Sequence, residues 1–182
     1  ATKPIVIAAN KADLPSSDEN IKRLKERFPQ YIIMPTAAEA ELALREAANK
    51  GLIKYIPGAS DFEIKGNLSD AQRKGLEYVR NNILKKYGCT GVQKLLDTIV
   101  FDFLKYIAIF PGGVGKLMDS EGRILPDCFL LKQGSTTLDF ANTIHTDLAQ
   151  GFIRAIDVKT KKTLGKEHVL KHRDVIEIIS SK

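Results

Sequence analysis

Two apolar strands, each followed by a helix, occupy the first fifty residues and constrain the fold more than any other feature. Residues 4–9 (PIVIAA) are apolar without alternation, a pattern typical of a strand that is buried on both faces. Residues 31–34 (YIIM) form a second such strand, and helical patterns follow over residues 17–28 and 38–50. Alternation of strand and helix at this spacing predicts an α/β fold with a parallel sheet.

Polar residues and glycines predict where the helices begin and end. Ser16 with Glu19, and Ser69 with Gln72, have the spacing of a capping box, while Thr90 is predicted to cap a later helix that extends to residue 103. Gly51 and Gly88 are placed to end the second and third helices. Residues 52–68 show no clear period and are predicted to form a loop.

The pattern changes near Leu104, where short strands, a turn and one helix follow in less than eighty residues. This arrangement predicts a β-grasp, ubiquitin-like module. The predicted elements are strands at 105–110, 128–134, 152–158 and 174–180, a turn at 119–122 and a helix at 136–151. The predicted regions are a parallel-sheet remnant (1–58), a helical linker (59–104) and the β-grasp domain (105–182).

The first strand ends in Asn10, Lys11 and Asp13, side chains that are suited to bind a guanine base at the carboxyl end of a strand. The carboxylate of Asp13 can accept from the ring N–H and the exocyclic amine of guanine, a donor pair that adenine lacks. Asn10 can bond the base edge or tie neighbouring loops together, and the stem of Lys11 can cover the purine face. A motif of only four residues (10–13) also fits a polar loop with a helix-capping aspartate, and both interpretations stay open on this motif alone.

The second strand ends in PTAAEAE, residues 35–41, which strengthens the prediction of a base site. The backbone N–H of Ala38, next to Ala37, is placed to meet the guanine carbonyl. Two consecutive strand ends that converge on one base are a more specific signal than either strand end alone.

Composition excludes several classes of protein. No apolar run is long enough to span a bilayer, so we expect a cytoplasmic protein without a membrane partner. Cys89 and Cys128 lack metal-ligand spacing and fit two reduced thiols, and three scattered histidines argue against a metal site. The net charge of +6 permits a polyanionic partner without requiring one.

The N-terminal residues resemble a GTPase of the Obg/YchF-related group, in particular an archaeal type with a C-terminal TGS domain. Asn10, Lys11 and Asp13 match its guanine-specificity motif, and PTAAEAE resembles the following base-contacting motif. Ala37 stands where a serine is usual, so the bond of that serine is lost, whereas the backbone contact of Ala38 is expected to remain. Some YchF-type relatives carry a different first motif and accept ATP, so the intact motif implies a guanine nucleotide.

Residues 122–156 and 170–178 resemble a TGS domain, the β-grasp module that threonyl-tRNA synthetases and stringent-response enzymes share. The resemblance implies contact with the ribosome or with structured RNA. The residues considered for this contact are His145, which also fits a structural role, and a lysine cluster that also fits a solvated turn: Lys159, Lys161, Lys162 and Lys166. The helices between residues 69 and 103 resemble the linker that leads into TGS in this family.

The chain contains no phosphate loop of the form GxxxxGK[ST], no magnesium-binding aspartate at a strand end and no switch threonine. Residues 111–116 (PGGVGK) are the nearest approach, but they lack a hydroxyl residue after the lysine. We therefore expect a C-terminal fragment of a longer GTPase whose intact form binds GTP or GDP with Mg²⁺. No nucleotide is expected to bind this chain tightly, no catalytic or metal-binding residue is predicted in it, and we do not expect it to hydrolyse GTP alone.

Two hypotheses from different classes follow. The first is the C-terminal part of a translation-associated GTPase that keeps the guanine-specificity motifs and an RNA- or ribosome-binding TGS domain. The second is a free-standing RNA-binding or protein-interaction module without nucleotide binding. An upstream coding sequence with a phosphate loop would distinguish them. In either case the short, truncated sheet has an unpaired edge, which predicts self-association.

Overall fold

The computed structural model describes residues 5–115, 117–118, 122–125 and 127–181. The chain forms two compact units, residues 1–99 and residues 100–182. The first unit is mixed α/β and the second is a β-grasp domain, so the predicted fold class is confirmed. No helix in the described residues is long and apolar enough to cross a bilayer.

The first unit begins with two strand–helix pairs, as predicted. Strands β1 (Val6–Ala9) and β2 (Ile32–Pro35) are parallel neighbours, and Val6 lies opposite Ile32. Helix α1 (Ser17–Arg27) follows β1, and helix α2 (Ala38–Asn49) follows β2. The carboxyl ends of both strands therefore lie at the same edge of the sheet.

The predicted capping box at α1 is wrong. Ser16 precedes the helix, but its side chain makes no capping hydrogen bond. Its backbone has φ −88° and ψ 2°, whereas a capping side chain needs the extended conformation to turn back towards the helix. Ser69 is extended, with φ −66° and ψ 161°, and forms the predicted capping box with Gln72.

The end of α2 agrees with the prediction, but the loop after it is more ordered than predicted. Gly51 has φ +69°, a left-handed conformation that glycine adopts without steric cost. After it, strands β3 (Ile53–Lys54) and β4 (Glu63–Ile64) pair in antiparallel orientation within the predicted loop. Two-residue strands are too short to show an alternating pattern, which explains why the sequence did not predict them.

A long helical region follows the hairpin and departs from a regular α-helix. Helix α3 (Asp70–Val79) continues through a π-helical segment (Arg80–Leu84) into the short helix α4 (Lys85–Tyr87). Gly88 ends this region as predicted, with φ +78°. Helix α5 (Val92–Asp97) then leads into a second π-helical segment, Thr98–Phe103.

The predicted cap of α5 is wrong, because Gly91 occupies the capping position. Thr90 is buried instead, and its hydroxyl donates to the carboxylate of Glu41 on α2. The tertiary hydrogen bond replaces the local one that the sequence predicted.

The main core of the first unit lies between α2, the β3–β4 hairpin and the helical region after it, rather than in the two-stranded sheet. It joins residues on both sides of the boundary predicted near residue 58. Its most buried members are Ala37, Leu44, Ile53, Ile83 and Leu84.

After Phe103, the described residues of the second unit form five strands and two α-helices, in the order β5, β6, α6, α7, β7, β8 and β9. The sheet order is β6-β5-β9-β7-β8, with β5 and β9 parallel and the other pairs antiparallel. Phe140 of α6 is fully buried against the sheet. The bounds are β5 (Tyr106–Pro111), β6 (Phe129–Lys132), α6 (Thr137–Ile144), α7 (Thr146–Gln150), β7 (Phe152–Asp157), β8 (Lys162–Leu164) and β9 (Val175–Ser180).

The single helix predicted over residues 136–151 is wrong in one respect. His145 is extended, with φ −162° and ψ 139°, and divides the region into α6 and α7. Its Nδ1 accepts from the backbone N–H of Asp147, so the histidine caps the second helix. The predicted turn at 119–122 lies outside the described residues except for Gly122.

Candidate nucleotide-binding site

Two loops at the carboxyl ends of β1 and β2 form the candidate site. We call residues 10–13 the first loop and residues 35–38 the second loop. Thr36 N–H donates to the carbonyl of Ala9 (3.0 Å), and Ala12 N–H donates to the carbonyl of Thr36 (3.0 Å). Because parallel strands place both loops at one edge, the backbone hydrogen bonds continue past the sheet and hold the loops together.

Asn10 connects the two loops through its side chain. Its Oδ1 accepts from the backbone N–H of Ala38 at 3.1 Å. The sequence allowed Asn10 either to bond the base edge or to tie neighbouring loops together, and this hydrogen bond ties the loops together. The same contact engages the N–H predicted to meet the guanine carbonyl, so a bound base has to share or displace it.

Lys11 and Asp13 present polar groups that are available to a ligand. Lys11 is exposed and has φ +63°, an uncommon conformation for a residue with a side chain. Within the part of the chain that the structure describes, the carboxylate of Asp13 makes no hydrogen bond or ion pair. It is partly exposed and therefore free to accept hydrogen bonds from a ligand.

Ala37 belongs to the second loop, but its side chain is buried rather than exposed at the surface of the site. It is 1% exposed and belongs to the main core, and its N–H donates to the carbonyl of Thr90 at 2.8 Å. Next to Thr90, Gly91 has φ +82°, and a Cβ there would lie 2.0 Å from the carbonyl oxygen of Pro35. Only glycine allows this approach of the two backbones.

A buried carboxylate secures the contact between Thr90 and the second loop. Glu41 is 4% exposed and accepts from the hydroxyls of Thr90 (2.6 Å) and Tyr55 (2.8 Å) and from Nε of Arg45 (2.6 Å). Burial raises the pKa of Glu41, but the hydrogen bonds from Thr90, Arg45 and Tyr55 outweigh it and leave the pKa below its usual value. Burial, together with the Glu41 carboxylate, raises the pKa of Tyr55 to about 12.

Two tyrosines of the helical region hold the first loop. Tyr78 Oη donates to the carbonyl of Asp13 at 3.0 Å, and Tyr87 Oη donates to the carbonyl of Ala12 at 3.2 Å. The single hydrogen of Tyr87 Oη is shared between this carbonyl and the closer carboxylate of Asp18 (2.6 Å), and Lys86 forms an ion pair with the same carboxylate. The hydrogen bonds from Lys86 and Tyr87 hold the pKa of Asp18 below its usual value.

An open groove runs between β1 and α1 beside the first loop. Its volume is about 410 Å³, and Asn10 and Lys11 lie among its lining residues. Most of the other lining residues are apolar and come from β1 and α1. No group of three histidine, cysteine or acidic side chains that could hold a metal ion occurs in the described parts of the chain.

The sequence did not identify the groups that hold these loops. Glu41 offered one signal, because an acidic residue lies at helical spacing between the apolar residues Ala37 and Leu44. Tyr78 and Tyr87 offered none, since they contact the first loop across 65 and 75 residues of chain.

The lysine cluster of the second unit lies at the hairpin of β7 and β8. Asp157 organises the turn, because it accepts from Lys159 N–H (3.0 Å) and from the hydroxyl of Thr160 (2.6 Å), while its carbonyl accepts from Lys161 N–H (2.7 Å). The ammonium of Lys159 donates to the carbonyl of Arg173. Lys161, Lys162 and Lys166 have exposed side chains, and His145 is exposed at its capping position.

Comparison with known families finds two matches along the chain. Residues 8–113 match the family described as "Obg-like GTPase YGR210-like, G4 motif-containing domain". Residues 115–180 match the TGS domain. The chain belongs to the YGR210-like group of Obg-like GTPases. Both parts of the resemblance that the sequence indicated are thereby confirmed.

Two relatives of this Obg-like GTPase chain match 73% or more of its length. An uncharacterised GTP-binding protein of Methanocaldococcus jannaschii is 45% identical over 99% of the chain, which covers 46% of that protein. One of Schizosaccharomyces pombe is 31% identical over 73% of the chain, which covers 35% of it. The chain thus spans half or less of these relatives.

Two solved structures also match nearly the whole of this chain and less than half of their own. The crystal structure of a GTP-binding protein from Pyrococcus horikoshii OT3 is 42% identical, with a TM-score of 0.68 over 98% of this chain and 46% of that one. The YchF GTPase of Schizosaccharomyces pombe is 14% identical, with a TM-score of 0.52 over 97% of this chain and 43% of that one, and shares the fold alone.

Proposed function

We propose that the two loops select the guanine base of GTP or GDP in a GTP-binding protein of the Obg/YchF-like group. The observation that carries this proposal is the carboxylate of Asp13, which has no protein partner among the described residues and belongs to the loop that Asn10 ties to Ala38 N–H. A carboxylate accepts the N–H and amine pair of guanine and leaves adenine unmatched. The names of the relatives from Methanocaldococcus jannaschii and Schizosaccharomyces pombe support a guanine nucleotide.

The contribution of these residues is base selection. Asp13 accepts from the base, and Lys11 covers its face. Asn10 holds the second loop through Ala38 N–H, which the guanine carbonyl would share with Asn10 Oδ1. Phosphate and Mg²⁺ contacts supply much of the affinity of GTPases for nucleotide and all of the chemistry. We assign these two loops no step of hydrolysis. Base contacts alone give roughly millimolar affinity, on the order of 4 kcal/mol.

Nuclear magnetic resonance titration of the chain with GMP and with AMP tests the proposal at this affinity. GMP should shift the backbone amide signals of Ala38 and Asp13 with saturation in the millimolar range, because the base contacts both loops. AMP should shift them much less, since adenine cannot donate to the Asp13 carboxylate. Equal shifts with both nucleotides, or none with either, would refute base selection here.

Replacing Asp13 by asparagine reverses a donor and an acceptor at one position. The variant should lose its preference for GMP and gain one for xanthosine monophosphate, because the new amide donates to the xanthine oxygen. Glu19→Gln is the matched control, since it removes the same charge from an exposed position on α1. An unchanged preference in Asp13→Asn would show that Asp13 does not contact the base.

For the TGS domain, the observation that favours a function is the ordered lysine turn. Asp157 holds the backbone of the turn, and Lys161 and Lys162 extend from it with exposed side chains. A turn whose backbone is already ordered loses less entropy on binding phosphates than a flexible segment. We therefore propose that this turn, with Lys166, contacts ribosomal or other structured RNA. His145 is proposed as a further contact because its side chain is exposed.

Replacing Lys161, Lys162 and Lys166 by glutamate tests this surface, and it spares Lys159, whose ammonium bonds the chain itself. Binding to purified ribosomes or to a structured RNA at low salt should fall at least tenfold, and the slope of affinity against salt should decrease. The control makes the same charge change at exposed positions of the first unit: Lys25, Lys74 and Lys94. Equal loss in both variants would indicate net charge alone and refute a specific surface.

A further inference from the structure

The backbone of Asp13 is held on both sides by hydroxyl groups from the helical region. Tyr87 Oη shares its single hydrogen between the carboxylate of Asp18 (2.6 Å) and the carbonyl of Ala12 (3.2 Å), which belongs to the peptide unit that precedes Asp13. Tyr78 Oη donates to the carbonyl of Asp13 itself. Ser17 Oγ also donates to the carbonyl of Ala12 at 2.8 Å. Both peptide planes that flank the Asp13 Cα atom therefore have a fixed partner.

We propose that Tyr78 and Tyr87 are positioning residues that set how strongly the site discriminates guanine from other purines. Two planar peptide groups meet at the Cα atom, so fixing both groups fixes φ and ψ of Asp13 and the direction of its Cα–Cβ bond, from which the carboxylate extends. The carboxylate must align with two donors of the base at once, and such a pair is sensitive to small rotations. This inference rests on the proposed guanine binding by Asp13.

No side-chain contact takes over this role among the described residues. The Asp13 carboxylate has no partner there, and the carbonyl of Asp13 accepts from Tyr78 alone. Without the two hydroxyls, Ser17 still holds the carbonyl of Ala12, and Leu14 N–H still donates to the carbonyl of Lys11 (3.1 Å), but the carbonyl of Asp13 loses its side-chain donor. The orientation of the base-selecting group thus depends on residues that lie far from it in sequence.

Phenylalanine variants separate positioning from packing. Tyr78 is 49% exposed, so Tyr78→Phe removes a hydroxyl from the surface and leaves the core unchanged. Tyr87 is partly buried against the main core, and Tyr87→Phe keeps the ring that packs there. Both variants should retain the fold, which the dispersion of their amide spectra will show.

The test compares GMP with inosine monophosphate by amide-shift titration of the chain. Hypoxanthine keeps the carbonyl and ring N–H of guanine but lacks the exocyclic amine, so the ratio of the two dissociation constants measures the amine contact of Asp13. We expect the chain to prefer GMP by about tenfold, as for one hydrogen bond to a charged acceptor. Each variant should reduce the preference to about threefold or less, mainly by weakening GMP.

Tyr31→Phe is the control, because the hydroxyl of Tyr31 makes no hydrogen bond within the described part of the chain. Its preference should equal that of the unaltered chain. If the unaltered chain shows no preference, the proposed function fails and this inference fails with it. If the preference exists and both variants keep it, or if both weaken the two nucleotides equally, the inference alone is overturned and the tyrosines are structural.

Discussion

Replacing Glu41 by glutamine tests how the second loop is held. The glutamine keeps the shape of the side chain and removes its charge. Its oxygen can still accept from Thr90 and Tyr55, which both donate to Oε2 of Glu41, and its amide then faces Arg45, which donates to Oε1. Two buried hydrogen bonds lose their charge assistance, and the third is lost.

The expected cost follows from these three contacts. Hydrogen bonds to a charged acceptor contribute about 1.5–3 kcal/mol and neutral ones about 0.5–1.5 kcal/mol, so each weakened bond costs about 1 kcal/mol. The side chain of Arg45 is 46% exposed, and water therefore screens its ion pair with Glu41. Loss of that hydrogen bond adds roughly a few tenths of a kcal/mol. We therefore expect Glu41→Gln to lower the free energy of unfolding of the first unit by about 2 kcal/mol.

The effect should depend on pH in a defined direction. The pKa of Glu41 is lower in the folded chain than its ordinary value of 4.5, so its stabilisation is fully present above that value and is lost as the pH falls through the lower, folded pKa. The difference between the two proteins should therefore shrink as the pH falls from about 6 to about 3.

Urea unfolding followed by circular dichroism measures both quantities, and hydrogen exchange of the Ala37 amide reports on the second loop directly. Glu46→Gln is the control, since Glu46 lies exposed on the same helix. A difference below about 0.5 kcal/mol at neutral pH, or one that does not change with pH, would refute the role given to the Glu41 carboxylate.

Three further predictions concern single features of the fold. In urea unfolding, Gly91→Ala should lower the free energy of unfolding of the first unit by more than about 3 kcal/mol, because its Cβ would clash with Pro35. Gly88 is equally left-handed but has open space around it, so Gly88→Ala should cost only about 1–2 kcal/mol. Residues 105–181 expressed alone should fold cooperatively by calorimetry, because their core is their own, and a broad or absent transition would contradict this. The chain should self-associate at high concentration through β1, because Ile5 beside that strand is 54% exposed. A clean monomer in sedimentation, with both parallel strands protected from hydrogen exchange, would argue against this prediction.

Local sequence patterns predicted those elements that local forces determine. Strands β1 and β2 follow from uninterrupted apolar runs, and the capping box at Ser69 follows from the spacing to Gln72. The position of Asn10 beside Ala38 follows from the rule that parallel strands end at one edge. Each of these features depends on residues close in sequence or on a general property of parallel sheets.

Features determined by distant residues were not predictable in this way. Thr90 has the sequence of a helix cap, but the buried carboxylate of Glu41 is a better partner for its hydroxyl. His145 lies in a continuous helical pattern, yet it turns the chain and caps the next helix. In both cases the polar side chain can form a local or a different hydrogen bond, and the surrounding folded structure determines which one forms.

The replacement of the usual serine by Ala37 has a physical explanation in the same contacts. Ala37 is fully packed in the main core, where a hydroxyl would need a buried partner. Its N–H instead donates to the carbonyl of Thr90, whose hydroxyl is fixed by Glu41, and Gly91 lets that segment approach the loop. The second loop is thus held from the helical side, as Tyr78 holds the first. Because both loops depend on one helical region, a displacement of that region would alter both sets of proposed base contacts together.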